Sequence, residues 1–437
     1  MRRWATAGPR AGLFDAAQWL VASSYCPLHA LMAVPSLLFL ISLTAMLFRP
    51  PDLPVYGLDR VAFLLLILVV VLRVFALGQP IRTSGLVTWP LLGLLLLSLV
   101  GALARPYEAQ TWSVLAAKWL VPFALYHLAA FVFADAPSLK TLEVFGWIVL
   151  GYLSLIAVLF LFDAKSLIFP RFILDENLGI HTDRARGPFL QAVANGVTLN
   201  LLALLALDSF RRGRLPRIVA LVLGVMVPLA IIATKTRAVW LSFAWSILAL
   251  VFFSPSRRVR NACLALLLAG GTSVCTILAT AGDYESLSDR LQETSPVEFR
   301  LALYRAGWEM FLEKPLMGWA ARDIQAELDT RIREFHQEAF YFHNTFLETT
   351  VAYGLVGLGL YLWLLIDLFR LGRKHWAANS PDTAIPLLDD GFRSLWPILV
   401  CVYVFNACFV VMNYQFVNGF FFTVAGILAA PRRQQEL

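Results

Sequence analysis

Residues 336–361 read HQEAFYFHNTFLETTVAYGLVGLGLY and change from polar to apolar at His343 and Asn344. Small apolar side chains follow Asn344 over a membrane-length run, so a helix is expected to begin at this boundary. The first-turn N–H groups of such a helix are unpaired and carry positive partial charge. A histidine beside them tends to stay neutral and can accept a proton from an alcohol. A polar residue that only marks the membrane surface gives the same pattern.

The composition excludes a soluble protein. Of 437 residues, 59% are hydrophobic and 15% are charged, and the mean hydropathy is +0.70. Several apolar runs reach the roughly 20 residues that a bilayer-spanning helix needs. Strand-period alternation is absent, so helices must satisfy the backbone in lipid. The sequence therefore predicts an all-α polytopic membrane bundle, with residues 1–437 as a single integral membrane domain and without a cleavable signal peptide.

Twelve membrane spans are predicted from the apolar runs. They cover residues 29–48, 59–77, 86–104, 112–134, 142–162, 188–208, 215–233, 236–253, 259–281, 344–369, 394–411 and 416–430. Lysine and arginine are concentrated in one set of short loops, and this asymmetry places both termini in the cytoplasm. Two longer segments, 163–187 and 282–343, then face the periplasmic side.

The 282–343 segment, between the ninth and tenth spans, is too long to be a simple connector. Its residues 297–312 read VEFRLALYRAGWEMFL and predict an amphipathic helix that ends before Pro315. A second polar helix is expected over 321–335. The formal charge of +7 is explained by the cytoplasmic loops, so no nucleic-acid partner is predicted. None of the five cysteines forms a CxxC pair, and no disulfide framework or zinc site is expected.

Arginines on the outer side are the strongest candidates for binding an anion, since a guanidinium grips phosphate at two points and stays charged. Arg300 has no acidic residue one helical turn away, whereas Arg305 has Glu309 at i+4. Arg237 opens the eighth span beside Lys235. Either a bound anion or snorkelling of the side chain to the lipid headgroups accounts for Arg237.

Two further arginines, Arg184 and Arg186, precede the sixth span. Gln191, Asn195 and Thr198 give that span a polar face. Such a face serves interhelical hydrogen bonds in most membrane bundles. It would also suit a polar headgroup site, which the neighbouring arginines favour.

Other polar residues near the membrane carry weaker signals. Lys118 lies inside the fourth span and is either functional or snorkels outward. Glu348 follows Asn344 by four residues and favours the start of the helix. Gly354, Gly357 and Gly359 are expected to let another helix approach closely. No HExxH or other metal-binding spacing is found, so no metal is expected.

Four segments in order resemble a known family. His343-Asn344, then nine residues and Gly354-Leu-Val-Gly357, resembles the signature of the O-antigen ligase/polymerase superfamily of bacterial membrane glycosyltransferases. EFRLALYRAGWEMFLEKPLMGWA (298–320) and TKTRAVWL (234–241) resemble two further segments of that family, and RGPFLQAVANG (186–196) does so more loosely. The resemblance covers roughly residues 184–360.

The resemblance implies transfer of a polysaccharide from undecaprenyl diphosphate to an acceptor hydroxyl, outside the inner membrane of a Gram-negative bacterium. It implies inversion at the anomeric carbon without metal, nucleotide sugar or other cofactor. His343 would be the general base, and Arg186, Arg237 and Arg300 would bind the diphosphate. Further possible site residues are Lys118, Arg184, Asn195, Asn344 and Glu348.

Three acceptors fit the family: lipid A–core, another lipid-linked unit, or a protein serine. The spacing of the His-Asn and Gly-x-x-Gly motifs and the one dominant outer loop favour a lipid A–core ligase over a polymerase. The protein-modifying branch usually carries a further soluble region after its membrane part. Only seven residues follow Ala430 in this sequence, so a protein acceptor is the less favoured expectation. A transporter or flippase would instead place its polar residues at the bilayer midplane.

Overall fold

The structure is a computed structural model that describes residues 35–48, 57–77, 85–104, 106–254, 256–280, 295–332, 340–373 and 387–430. Within these ranges the longer regular elements are helices. In chain order they are α1 (Pro35–Leu47), α2 (Leu58–Leu77), α3 (Gly85–Leu103), α4 (Ala109–Val132), α5 (Ala136–Leu161), α6 (Ala192–Arg211), α7 (Arg217–Ala233), α8 (Arg237–Phe253), α9 (Arg257–Thr280), α10 (Ser295–Glu313), α11 (Ala321–Arg331), α12 (Thr345–Arg373), α13 (Asp390–Ala407) and α14 (Gln415–Ala429).

The predicted all-α fold is confirmed, and each predicted span overlaps one of these helices. By length and composition, α3, α4, α5, α6 and α12 are long and apolar enough to cross a membrane. Shorter apolar helices are α1, α7, α8 and α14. The total number of spans and the side on which the termini lie stay predictions. The two helices predicted within residues 282–343 are α10 and α11, although residues 333–335 lie outside the described part.

Helix α6 packs against several neighbours and carries buried polar groups that join it to α8. The Asn200 Nδ2 donates to Ser242 Oγ (3.4 Å), and Ser246 Oγ donates to Asn200 Oδ1 (3.2 Å). Such bonds help to hold helices together in lipid, where the hydrophobic effect does not drive helix association. The predicted start of this span at 188 was wrong. A 3-10 turn from Gly187 to Phe189 and a left-handed Leu190 (φ +54°) delay α6 to Ala192.

Helix α12 is broken at Gly354, where φ is +61° and ψ is −156°. The turn that follows α10 fills the break. Leu355 N donates to Pro315 O (2.8 Å), and Val356 N donates to Leu316 O (3.5 Å). Non-helical backbone at membrane depth is tolerated where such groups find partners. The turn and the broken helix therefore form one unit.

The expectation that all three glycines admit another helix was wrong. At Gly354 the close neighbour is the Pro315–Gly318 turn, since an added Cβ would lie 2.2 Å from Leu316 O. At Gly357 the nearest atoms belong to Tyr353 of the same helix, and at Gly359 nothing lies within 4 Å.

Replacing Gly354 by alanine is expected to lower the free energy of unfolding by at least about 1–3 kcal/mol, the usual cost of a strained backbone position. The Cβ would also displace the Pro315–Gly318 turn. Gly359→Ala on the same helix is the matched control. Thermal unfolding in detergent measures both variants, and equal stability of the two would contradict this account of the break.

Helices α10 and α11 share a small core of their own with the head of α12. Its members are apolar residues of the three helices and of the adjoining turns: Leu303, Ala306, Met310, Trp319, Ile324, Leu328, Ile332, Phe340, Phe342 and Val351. The i+4 spacing of Arg305 and Glu309 noted in the sequence does not produce an ion pair among the described residues. Instead Glu309 lies 3.9 Å from Arg331, which also contacts Glu313 and Glu327.

Candidate active site at the head of helix α12

The head of α12 is fixed by hydrogen bonds on both sides of His343-Asn344. Asn344 Oδ1 accepts from Leu347 N (3.0 Å), which is an N-terminal cap. Thr345 Oγ1 donates to Val410 O (2.8 Å) and accepts from Met412 N (2.9 Å). The expectation that a helix begins directly after these two residues is confirmed.

His343 itself is half-buried and adopts a left-handed backbone conformation (φ +49°). Residues other than glycine rarely adopt it, and such positions cluster at functional sites. Burial, followed by the positive charge of Arg300 and then by His181, lowers the pKa of His343 to about 4. At neutral pH the imidazole is therefore uncharged and able to accept a proton.

Arg300 is brought to His343 by the way α10 packs on α12. Arg300, Leu303 and Gly307 lie along neighbouring positions of α10, and the glycine meets the residues on either side of His343. A Cβ at Gly307 would lie 2.7 Å from Phe342 Cε1 and 3.0 Å from Leu347 Cδ2. The missing side chain permits this close approach. Among the described residues, no carboxylate forms an ion pair with Arg300.

His181 is a neighbour of the site that sequence reasoning missed. It lies in the 163–187 segment, is exposed, and has a left-handed backbone (φ +57°). The electrostatic effect of His181 on His343 indicates that this segment reaches the head of α12. No motif surrounds His181 in the sequence, so only the folded chain reveals the proximity.

Arg186 has a different environment from the one predicted. Its side chain is buried (2% exposed). The guanidinium donates to the carbonyls of Ile173 (3.0 Å), Asp175 (2.5 Å) and Leu178. Burial lowers its pKa, while Asp175 and then Glu176 raise it. Arg186 thus holds the 163–187 segment together, and this arrangement does not support the predicted contact with diphosphate.

Asn195 ties the same segment to the bundle. Its Nδ2 donates to Ala185 O (2.9 Å), and Ala185 N donates to Ala233 O at the end of α7 (3.0 Å). Arg237 begins α8 four residues after Ala233 and is exposed. On the predicted polar face of α6, Asn195 therefore makes a hydrogen bond within the protein, as expected for a face that joins segments of the bundle.

Arg184 lies at this junction too. Its Nε is 3.8 Å from Asp183 Oδ1, and its backbone N donates to His181 O (3.2 Å). Arg184 is therefore hydrogen-bonded to the residue whose electrostatic effect reaches His343. The hydrogen bond from Ala185 to Ala233 holds the same segment near the start of α8, where Arg237 lies.

Lys118 and Glu348, singled out separately in the sequence, form an ion pair with Nζ 2.5 Å from Oε2. Lys118 is buried (6% exposed), so the alternative that it snorkels outward was wrong. It lies in a π-helical turn of α4, Ala116–Leu120. Asn418 Nδ2 donates to Ala117 O (3.1 Å) and supports this wider turn. The pair joins α4 to the first turn of α12, five residues after His343.

Lys118→Met is expected to destabilise the protein because it leaves the Glu348 carboxylate without its cation. Removing one partner of a buried pair costs about 3–5 kcal/mol. Since the Glu348 side chain is 24% exposed, the lower end applies. The double variant Lys118→Met/Glu348→Gln should recover much of the loss in thermal unfolding. Additive effects of the two substitutions would contradict a direct pair.

These observations define a class: a multi-pass helical membrane protein with a neutral histidine at the head of a broken helix, beside an arginine. Residues 218–362 match the family model described as O-Antigen ligase. This range contains Arg237, Arg300 and His343. The resemblance to the O-antigen ligase/polymerase superfamily of membrane glycosyltransferases is thereby confirmed.

A more distant similarity points the same way. The chain is 28% identical over 195 residues to "Exopolysaccharide production protein ExoQ" of Rhizobium meliloti (strain 1021). The alignment covers 43% of this chain and 40% of that protein, so the chain spans less than half the length of the relative. Together the two findings support a glycosyltransferase-like enzyme that processes polysaccharide.

Proposed function

We propose that this protein transfers O-antigen polysaccharide from undecaprenyl diphosphate to a hydroxyl of lipid A–core, at the periplasmic face of the Gram-negative inner membrane. One observation carries the proposal. His343 is kept neutral beside Arg300, within the residues that match the O-antigen ligase model. A neutral base next to a cation suits a reaction that deprotonates an alcohol and expels an anion.

The chemistry follows from these two groups. His343 accepts the proton of the acceptor hydroxyl while its oxygen attacks the anomeric carbon from the face opposite the diphosphate. The bond from that carbon to the diphosphate oxygen breaks, so undecaprenyl diphosphate leaves and the configuration inverts. Arg300 and Arg237 stabilise the charge that develops on the leaving group. The step balances with no co-reactant other than donor and acceptor.

The other predicted site residues act through these groups in the proposal. Arg186 and Asn195 shape the segment that carries His181 and Arg184. Asn344 caps α12 and thereby orients the neighbouring histidine. The remaining two, Lys118 and Glu348, anchor the first turn of the same helix to α4.

The pH dependence of transfer is expected to reflect the lowered pKa of His343. A base with a pKa near 4 stays unprotonated as pH falls from 7 to 5, and it is lost as pH approaches 4. The value of kcat/KM should therefore hold down to about pH 5 and fall below it. A half-maximal rate near 6.5, the ordinary histidine value, would contradict the proposed environment. Activity is compared over this range in detergent, with unfolding monitored in parallel.

The direct test is transfer by purified protein supplied with undecaprenyl-diphosphate-linked polysaccharide and lipid A–core. Mass-shifted lipopolysaccharide supports the ligase. The reaction is repeated with a chelator, because the proposal uses no metal. If no covalent product forms while the donor crosses the proteoliposome membrane, the protein is a transporter and the proposed enzyme activity is refuted.

A polymerase that uses the same donor chemistry is the second candidate. The specific observation in its favour is the similarity to a protein named for exopolysaccharide production. The same assay without lipid A–core separates the two. Lengthening of the lipid-linked chain supports the polymerase, and an unchanged donor supports the ligase.

A further inference from the structure

Helix α10 has an exposed apolar stripe in addition to the apolar face that it buries. Val297, Leu301, Trp308 and Leu312 are between 47% and 60% exposed. At 3.6 residues per turn these four positions fall within a stripe about 60° wide. Leu303, Ala306 and Met310, which form the small core with α11 and α12, lie on a different side. A contiguous apolar stripe of this kind marks contact with an apolar environment.

The turn after α10 extends the stripe toward α12. Leu316 and Met317 are 66% and 65% exposed. The hydrogen bonds from Leu355 and Val356 to this turn fix its position along α12. Leu355 and Val356 are themselves exposed apolar residues of a helix that is long and apolar enough to cross a membrane. The turn therefore lies level with exposed apolar residues of a candidate membrane-spanning helix.

Charged residues form a strip of α10 that borders the apolar stripe. Glu298, Arg305 and Glu309 are exposed and follow one another at i, i+7 and i+11, so they share one side of the helix. An amphipathic helix in a membrane surface places an apolar side in the acyl chains and a charged side toward water. In α10 the apolar stripe lies opposite the side that packs on the protein, and the charged strip lies between the two. This order suits a helix that rests on the protein, enters the membrane surface with its apolar stripe and keeps its charges at the water boundary.

We propose that α10 and the turn after it are inserted into the bilayer that α12 crosses, in the leaflet nearest the head of α12. The inserted residues, named here the insertion face, are Val297, Leu301, Trp308, Leu312, Leu316 and Met317. Lipid acyl chains are the occupant because the insertion face is continuous with Leu355 and Val356, the exposed apolar residues of α12 beside the break. A second copy of the chain would have to cover both the insertion face and the adjoining exposed residues of α12, which belong to a candidate membrane-spanning helix.

Insertion has a consequence for the active site that rests on the proposed function. Arg300 lies on α10 between the buried side and the insertion face, so membrane insertion sets the depth of its guanidinium. A helix in the membrane surface holds such a group level with the lipid headgroups. This is where the diphosphate of a lipid-linked donor is found.

The test uses nitroxide labels on single cysteines in proteoliposomes of phosphatidylethanolamine and phosphatidylglycerol. Leu312→Cys and Met317→Cys probe the insertion face, and Glu309→Cys on the charged side of α10 is the matched control. The five native cysteines are replaced by alanine. The ratio of collisions with oxygen to collisions with a water-soluble nickel chelate should be several-fold higher at 312 and 317 than at 309. Equal ratios would overturn the proposal. Shielding of 312 and 317 from both reagents would also overturn it and would indicate that a protein partner covers this face.

A second measurement covers the case in which the cysteine-free chain does not fold. Trp308 fluorescence is obtained as the difference between the wild type and Trp308→Phe, with all native cysteines present. Lipids brominated in their acyl chains should quench this difference signal, and an unquenched signal overturns the proposal. Neither measurement depends on enzymatic activity, so failure of insertion and failure of the proposed transfer reaction are distinguished.

Discussion

His343→Asn is expected to slow polysaccharide transfer by about 10²–10⁴-fold, the usual contribution of a general base. Asparagine is the appropriate replacement because it tolerates the left-handed backbone that His343 adopts (φ +49°). The side chain then loses the ability to accept the proton, while the start of α12 keeps its conformation. Initial rates with lipid-linked donor and lipid A–core give the ratio.

The matched control for this variant is His181→Asn. His181 also has a left-handed backbone (φ +57°), and its electrostatic effect lowers the pKa of His343. Its replacement should leave the rate at neutral pH largely unchanged, since His343 stays neutral. Near wild-type transfer by His343→Asn, at equal expression and stability, would end the assignment of the base.

Arg300→Gln is expected to lower transfer on the order of 10²-fold, comparable to removal of one preorganised group that stabilises transition-state charge. Thermal stability should change little, because among the described residues Arg300 has no carboxylate partner to lose. Arg305→Gln, on the same helix and exposed, should retain most of the activity. Equal losses for the two variants, or a larger loss for Arg305→Gln, would refute the role of Arg300.

The positions of the helices could be predicted from the sequence because each apolar run must find its backbone partners inside one helix in lipid. The start of α12 after Asn344 could be predicted for a similar reason, since the change of polarity and the cap residue coincide. Arg300 was singled out because it has no acidic residue one turn away, and its role in binding stays a prediction. The first two signals are local, and the fold preserves them, whereas the i,i+4 spacing of Arg305 and Glu309 gave no ion pair because Glu309 lies near Arg331 instead.

Contacts between segments that are far apart in the chain could not be predicted from the sequence. Lys118 and Glu348 were each noticed, but they lie 230 positions apart, and their pairing depends on how α4 packs on α12. The carbonyl groups around Arg186 are created by the fold of the 163–187 segment, so an arginine near a span resembled an anion ligand. Gly354 resembled a helix-packing glycine because nothing near it in the chain indicates that the turn at Pro315 fills the break.

The central claim is that Arg300 and His343 act on one lipid-linked donor at the head of α12. A density map of the protein with bound undecaprenyl-diphosphate-linked sugar tests it most directly. The account predicts that the diphosphate contacts the Arg300 guanidinium. It further predicts that an acceptor hydroxyl placed for attack lies within hydrogen-bonding reach of the His343 imidazole, about 2.6–3.2 Å. A diphosphate bound at another part of the protein, with the His343 imidazole turned toward lipid, would contradict it.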